Sequence, residues 1–149
     1  MAHAQQQVLD AVQAVLAAGG TVAGSRVYLD RVDALQATEL PAILITEEQG
    51  GETAEQFAVH GIDKRDLSVQ VHCVLAHTTT AAADARSFGL EVEKLLAAST
   101  SLAAKCSQGW RMTNSRLDIN GDADRLLAVR QQSWTFSYLV PATAPDVLI

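Results

Sequence analysis

Aromatic side chains are scarce in this chain. Phe, Trp and Tyr make up 5 % of it, so a core has to be assembled mainly from Ala, Val, Leu and Ile. Cysteine occurs only at Cys73 and Cys106. Two thiols far apart in sequence do not make the framework of a small disulfide-stapled fold, and Cys73 on the inward face of a strand reads as a small buried hydrophobe. Clustered cations are missing as well. The densest basic pair, Lys64-Arg65, is flanked by Asp63 and Asp66. With 11 Lys and Arg against 17 Asp and Glu, the formal charge is −6, which argues against gripping a phosphate backbone. No apolar run approaches the roughly 18 residues of a membrane span, and Met1 to Gln7 is polar rather than leader-like, so a cytosolic protein with no membrane role is expected.

What remains is an ordinary globular composition, 48 % apolar and 19 % charged over 149 residues. Domains cluster at about 100–150 residues, so one domain spanning residues 1–149 is expected, with 141–149 as a C-terminal arm. A chain of this size can bury roughly 68–70 % of its unfolded surface, enough for a real core.

The pattern of apolar positions orders the elements. Gln5 to Ala18 has Val8, Leu9, Val12, Val15 and Leu16 at helical spacing, with Gln6, Gln7, Asp10 and Gln13 opposite, and Gly19-Gly20 supplies a C-terminal stop. A short strand is expected near Arg26 to Leu29, then a loop to Glu39. Pro41 lacks the N–H a ladder needs, so it opens a strand whose apolar run, Ala42 to Ile45, ends at Glu47-Glu48. Gln49 to Ile62, with three glycines and Glu52 and Glu55, is expected as a long exposed loop or hairpin connection. In the next strand Leu67, Val69, Val71, Cys73 and Leu75 alternate with Ser68, Gln70, His72 and Val74. A second helix, capped by a hydroxyl among Thr78 to Thr80, runs to about Ala98 with Ala81, Ala85, Phe88, Val92, Leu95 and Leu96 as its buried stripe. Ser99 to Gly109 reads as a loop. Met112 to Ile119 and Leu126 to Val140 read as strands joined at Asn120-Gly121-Asp122, since Asn-Gly tolerates the positive φ of a tight hairpin. The apolar phase switches between Leu127/Val129 and Trp134/Phe136/Tyr138/Val140, for which a bulge near Arg130 to Ser133 would account. The expected fold class is α+β: one mixed or antiparallel sheet of about five strands with two helices packed on one face.

Residues able to carry chemistry are scattered. His60, His72 and His77 with Asp63 or Asp66 lack the paired close spacings of a zinc site and read as solvated side chains. Asp118 to Asp124 resembles a calcium loop only briefly, because Gly121 stands fourth rather than sixth and Val129 stands twelfth where Glu is required. It reads as an acidic hairpin tip, which leaves open a divalent cation only where several such tips meet in a ring. No nucleophile elbow, phosphate loop or dinucleotide fingerprint appears. No enzyme activity, cofactor, metal or catalytic residue is therefore expected. Trp134 reads as core. Trp110, beside Gly109 and Arg111, reads as an interface anchor of the kind Trp often provides. The apolar end Pro145 to Ile149 either packs back or docks on a neighbour.

Four stretches together resemble the tail terminator proteins of long-tailed phages, the lambda-type minor tail protein U family: Glu39 to Ile45, the strand Leu67 to Leu75, the acidic hairpin, and the aromatic strand ending near Tyr138. The resemblance covers most of the chain. It implies a structural virion protein without catalytic residues. Such proteins form a ring, typically of six copies, that caps the tail tube, ends its polymerisation and offers the docking surface for the head. The implied partners are further copies of the chain, the tail tube protein and the head-completion connector, with DNA passing through the lumen without specific binding. The implied place is the head-proximal end of the virion tail, assembled in the host cytoplasm. Ring and tube contacts are expected in the exposed acidic segments and at the loop tryptophan: Glu47, Glu48, Glu52, Glu55, Trp110, Arg111, Asp118, Asp122 and Asp124. The rivals are another head–tail joining or tail-completion component and, from other classes, a host-encoded binding module or a metal-dependent enzyme.

Overall fold

The computed structural model describes residues 2–58, 60–122 and 125–149, with side chains described at all of these except 120–122 and 125. Apolar residues every three to four positions make α1 (Ala4–Ala18) amphipathic, and Val8, Val12 and Leu16 are fully buried. Gly20, at φ 70°, takes the left-handed conformation just past its end, where a side chain would be strained. Strand β1 (Val27–Leu29) follows, then a 3-10 turn at Ala37–Glu39 and strands β2 (Ala42–Gln56) and β3 (Ile62–Ala76). Helices α2 (Ala81–Ala97) and α3 (Thr100–Lys105) precede β4 (Trp110–Asp122) and β5 (Arg125–Pro141).

The five strands form one sheet in the order β1-β2-β3-β5-β4. The β1–β2 pair is parallel and every other pair antiparallel, so the expected mixed α+β sheet is what the chain forms. Alternation sets its two faces. Ile43, Ile45, Leu67, Val69, Val71, Cys73, Trp134, Phe136, Tyr138 and Val140 face the three helices and build one large core with Val8, Val12, Phe88, Val92 and Leu102. The opposite face carries a smaller cluster of Leu35, Ala42, Val74 and Val129, joined by Tyr28, Leu40, Leu44 and Leu127.

That second cluster corrects the expected bulge in β5. The ladder between β3 and β5 runs without a shift from Ala76↔Leu127 to Ile62↔Pro141. Leu127 and Val129 are apolar because they pack on the far face, beneath the segment containing Leu35 and Leu40, while the even positions face the helices. The irregularity lies in β4 instead, between Met112↔Trp134 and Asn114↔Ser133.

Three further expectations are corrected. Gln49 to Gln56 is strand rather than loop, so Glu47-Glu48 does not end β2; pairing resumes at Glu52↔Leu67 after a bulge of residues 48–51. Ser99 to Gly109 contains α3, whose first turn is capped by Ser99 Oγ accepting from Leu102 N–H at 3.2 Å. Asn120, Gly121 and Asp122 are not the turn: they pair with Leu127, Leu126 and Arg125. The Thr80 hydroxyl also differs from expectation, since it donates to Asp84 Oδ2 at 2.9 Å and caps no backbone N–H of α2.

Candidate functional site

Sheet order leaves two unequal open edges. At one, β4 has no strand partner among the described residues along its outer side from Trp110 to Asp122. At the other, β1 covers only Ile43 to Ile45 of β2, so Thr46 to Gln56 faces outward over the rest of that strand. Unpaired N–H and C=O groups along an edge are a template for another strand. The residues expected at an interface fall on these two opposite edges, Glu47, Glu48, Glu52 and Glu55 on β2 and Trp110, Arg111, Asp118 and Asp122 on β4. Asp124 lies outside the described residues, as does the side chain of Asp122.

On β2, Glu47 is exposed and accepts a hydrogen bond from Gln5 Nε2 of α1. Glu48 is half-buried on the face away from the helices, where Ser133 Oγ donates to its Oε1 at 3.5 Å. Glu52 turns to the helix side: Tyr138 O–H donates to one carboxylate oxygen and Arg65 Nη1 to the other at 3.2 Å. Burial raises the Glu52 pKa, and the Arg65 cation opposes that rise without cancelling it. Glu55 is exposed, with Lys64 Nζ 3.9 Å away. Glu52 is thus a structural tie that pins β2 beyond its bulge, whereas Glu55 presents its charge to solvent.

On β4 the pattern is basic toward the start. Arg111 is exposed and has no carboxylate partner among the described residues. Arg116 donates to Gln131 Oε1 at 3.2 Å and stands 3.7 Å from Asp118. Trp110 is only half exposed: its indole N–H donates to the Leu96 carbonyl at 2.8 Å and its ring packs on the core. Its outer side, with Arg111 and Met112, walls a shallow cleft of about 450 Å³ against Glu93 and Ala97 of α2.

The remaining reactive groups stay apart. His60 and His77 are exposed at opposite ends of β3, and His72 Nε2 lies 3.5 Å from Thr46 Oγ1. Burial lowers the His72 pKa, and the Arg116 cation acts in the same direction. Among the described residues no three His, Cys, Asp or Glu side chains converge as a metal site would need. Both thiols are free and buried, and burial pushes each up to about 12, far from the thiolate that reactivity requires. Among the described residues no helix is long and apolar enough to cross a membrane. The apolar C-terminus packs back on the fold: Ala4 N–H donates to the Pro145 carbonyl at 3.0 Å and Ile149 N–H to the Leu139 carbonyl at 3.0 Å, with Leu148 against the core.

Sequence reasoning missed Arg116 and the tie of Arg65 and Tyr138 to Glu52. Arg116 had a legible signal, a second cation in a run otherwise read only for its acids; the Glu52 tie had none, because it depends on the bulge. Comparison with protein-family models and with curated proteins finds no match to the chain.

Proposed function

We propose that this chain is a tail terminator of a long-tailed phage: a structural subunit that joins copies of itself into a ring, typically of six, on the end of the tail tube. The reading rests on the resemblance described above. The observation that carries it is the sheet with two different open edges on opposite sides and all helices on one face. A subunit with two unlike edges joins head to tail, and head-to-tail contacts either close into rings or run on as filaments. A closed ring leaves one annular face for the tube and one for the head connector, and the −6 charge suits a lumen through which DNA slides without sticking. The chain contributes no catalytic step in this reading. It stops tube growth by occupying the surface on which the next tube subunit would land.

Disruption of the gene in the phage or prophage that carries it, with particles viewed by electron microscopy, tests the proposal. Over-long, headless tails are expected, restored to fixed length when the gene is supplied in trans. Tails of normal length with heads attached would overturn it.

A further inference from the structure

The free side of β4 is complementary to itself. Which of its residues point outward follows from its pairing with β5. Gln108 N–H donates to the Ser137 carbonyl and Ser137 N–H to the Gly109 carbonyl, and hydrogen-bonded positions alternate from there along an antiparallel ladder. Arg111, Asn114, Arg116 and Asp118 therefore turn their backbone groups inward to β5, with Thr113 the extra residue of the bulge. Trp110, Met112, Ser115, Leu117 and Ile119 turn theirs outward, where among the described residues no strand meets them. Side chains divide the same way. The outward-bonding residues stand opposite even-numbered positions of β5 and face the helix side, and the others face away.

The levels along β5 fix the register. Ser115 stands opposite Gln132, and the rest of β4 is arranged evenly about it. Met112 and Leu117 lie at Trp134 and Arg130, Trp110 and Ile119 at Phe136 and Ala128, and Arg111 and Asp118 at Thr135 and Val129. A second β4 set antiparallel about a two-fold axis at Ser115 thus brings Met112 against Leu117 and Trp110 against Ile119. These are outward-bonding positions on both strands, and they meet on the helix side. On the other face Arg111 meets Asp118, and Asn114, at the level of Ser133, meets Arg116, at that of Gln131. The charges agree with this register. Arg111 is exposed without a carboxylate partner among the described residues, and Asp118 has only its own Arg116, 3.7 Å away. In the pair Asp118 lies between two guanidinium groups, and no like charges stand directly opposite. The apolar surface agrees as well: Ile119 is 48 % exposed, and Leu90, on the same stripe of α2 as Glu93 and Ala97, is 50 % exposed beside this strand.

We infer that in dilute solution two copies of this chain join β4 to β4, antiparallel about Ser115, into one ten-stranded sheet with all helices on one side. The contact is isologous: each copy gives the same patch and receives it, so both cross-pairs occur twice. Backbone bonds and the apolar pairs supply adhesion, and Arg111 with Asp118 fixes the register. The inference goes beyond the ring reading and does not rest on it. A β4 edge closed in this way is shielded from stray strands and unavailable to a head-to-tail contact, so the pair is a resting form that competes with the ring. Three pairs hold the chains of one six-copy ring, so rising concentration favours the ring by mass action.

Charge reversal in the full chain, read by light scattering in dilute solution, tests it. The wild type is expected at the mass of two copies. R111E alone sets two acids against each other twice, and D118K alone two cations, so each is expected to be monomeric with circular dichroism unchanged. Mixed in equal amounts they are expected to regain the two-copy mass, because in a mixed pair Glu meets Lys at one crossing and Arg meets Asp at the other. If a reversal disturbs folding, the milder R111Q and D118N keep the test valid. Each removes two exposed ion pairs per dimer and is expected to raise the pairing midpoint roughly two- to ten-fold. The register has its own readout. Facing Cα atoms at a hydrogen-bonded position are about 5.5 Å apart, within disulfide reach, so S115C is expected to cross-link two copies under mild oxidation. A monomeric wild type, reversals without effect, a mixture that stays monomeric, or S115C chains that do not cross-link would each overturn the inference. A pair that obeys the reversals but stays at two copies at every concentration would defeat the ring reading and leave the β4 pairing standing. Six-copy rings formed by chains whose dilute mass ignores the reversals would do the opposite.

Discussion

Single residues decide where polarity is tolerated inside this fold. Gln132 is fully buried, yet both ends of its amide are used: Nε2 donates to the Gly89 carbonyl at 2.9 Å, and Oε1 accepts from the Trp134 indole at 3.0 Å. Gly89 leaves room for that bridge, because a Cβ there would lie 3.0 Å from Gln132 Nε2. A buried amide satisfied at both ends ties α2 to β5 without the penalty of an orphaned polar group. Gln132 is a polar residue on the side of β5 whose even-numbered positions, Trp134 to Val140, turn toward the helices.

Glu39 holds the 30–41 segment in a different way. Arg31 donates to its two oxygens at 2.6 and 2.9 Å, and the Gln36 N–H donates to it at 2.8 Å. The Arg31 hydrogen bonds, with that of Gln36, lower its pKa from 4.5 to about 2. Because the folded value lies below the unfolded one, the stabilisation is fully present above about pH 4.5 and is lost as pH falls toward 2. The Glu39→Gln variant should therefore have a lower urea midpoint than wild type at pH 7, with the gap narrowing by pH 3. An equal gap at both values would show that the Glu39 charge does not act.

At the scale of elements, the sequence is legible where one face is dry and the other wet. The β3 alternation from Leu67 to Cys73 holds residue for residue, and α1 and α2 end within a residue or two of where periodicity places them. It is least legible where strands leave the core. Gln49 to Gln56 has no apolar alternation, and from Glu52 onward its ladder with β3 rather than apolar burial keeps it extended. Asn120-Gly121 carries a strong turn signal, but the pairing of β4 with β5 continues to Asp122↔Arg125. The segment 99–109 hides α3 because six residues are too few to show a period. Its existence depends on one cap, so Ser99→Ala should lower stability by about 1 kcal/mol, as loss of an N-cap hydroxyl commonly does. Chemical denaturation measures this directly, and an unchanged midpoint would mean that packing of Leu102 alone holds the helix.

At the scale of the whole molecule, what the sequence marked as loops with acidic residues turns out to be the two margins of a single sheet. The residues expected at an interface lie on strands rather than on loop tips, and among those described only Glu47, Glu55 and Arg111 are exposed. Glu48 and Glu55 belong to one edge and Arg111 and Arg116 to the other, and only the strand order β1-β2-β3-β5-β4 places those edges on opposite sides. Opposite, unlike edges are what a subunit needs to join head to tail, and the resemblance to tail terminators supplies the purpose such a ring would serve.

The most direct test of this account is the molar mass of the wild-type chain in solution, by size exclusion with light scattering across concentration, with and without Mg²⁺. The account predicts growth with concentration to a closed species of about six copies, seen as rings by electron microscopy. A mass fixed at one copy, or at a closed pair, would contradict it.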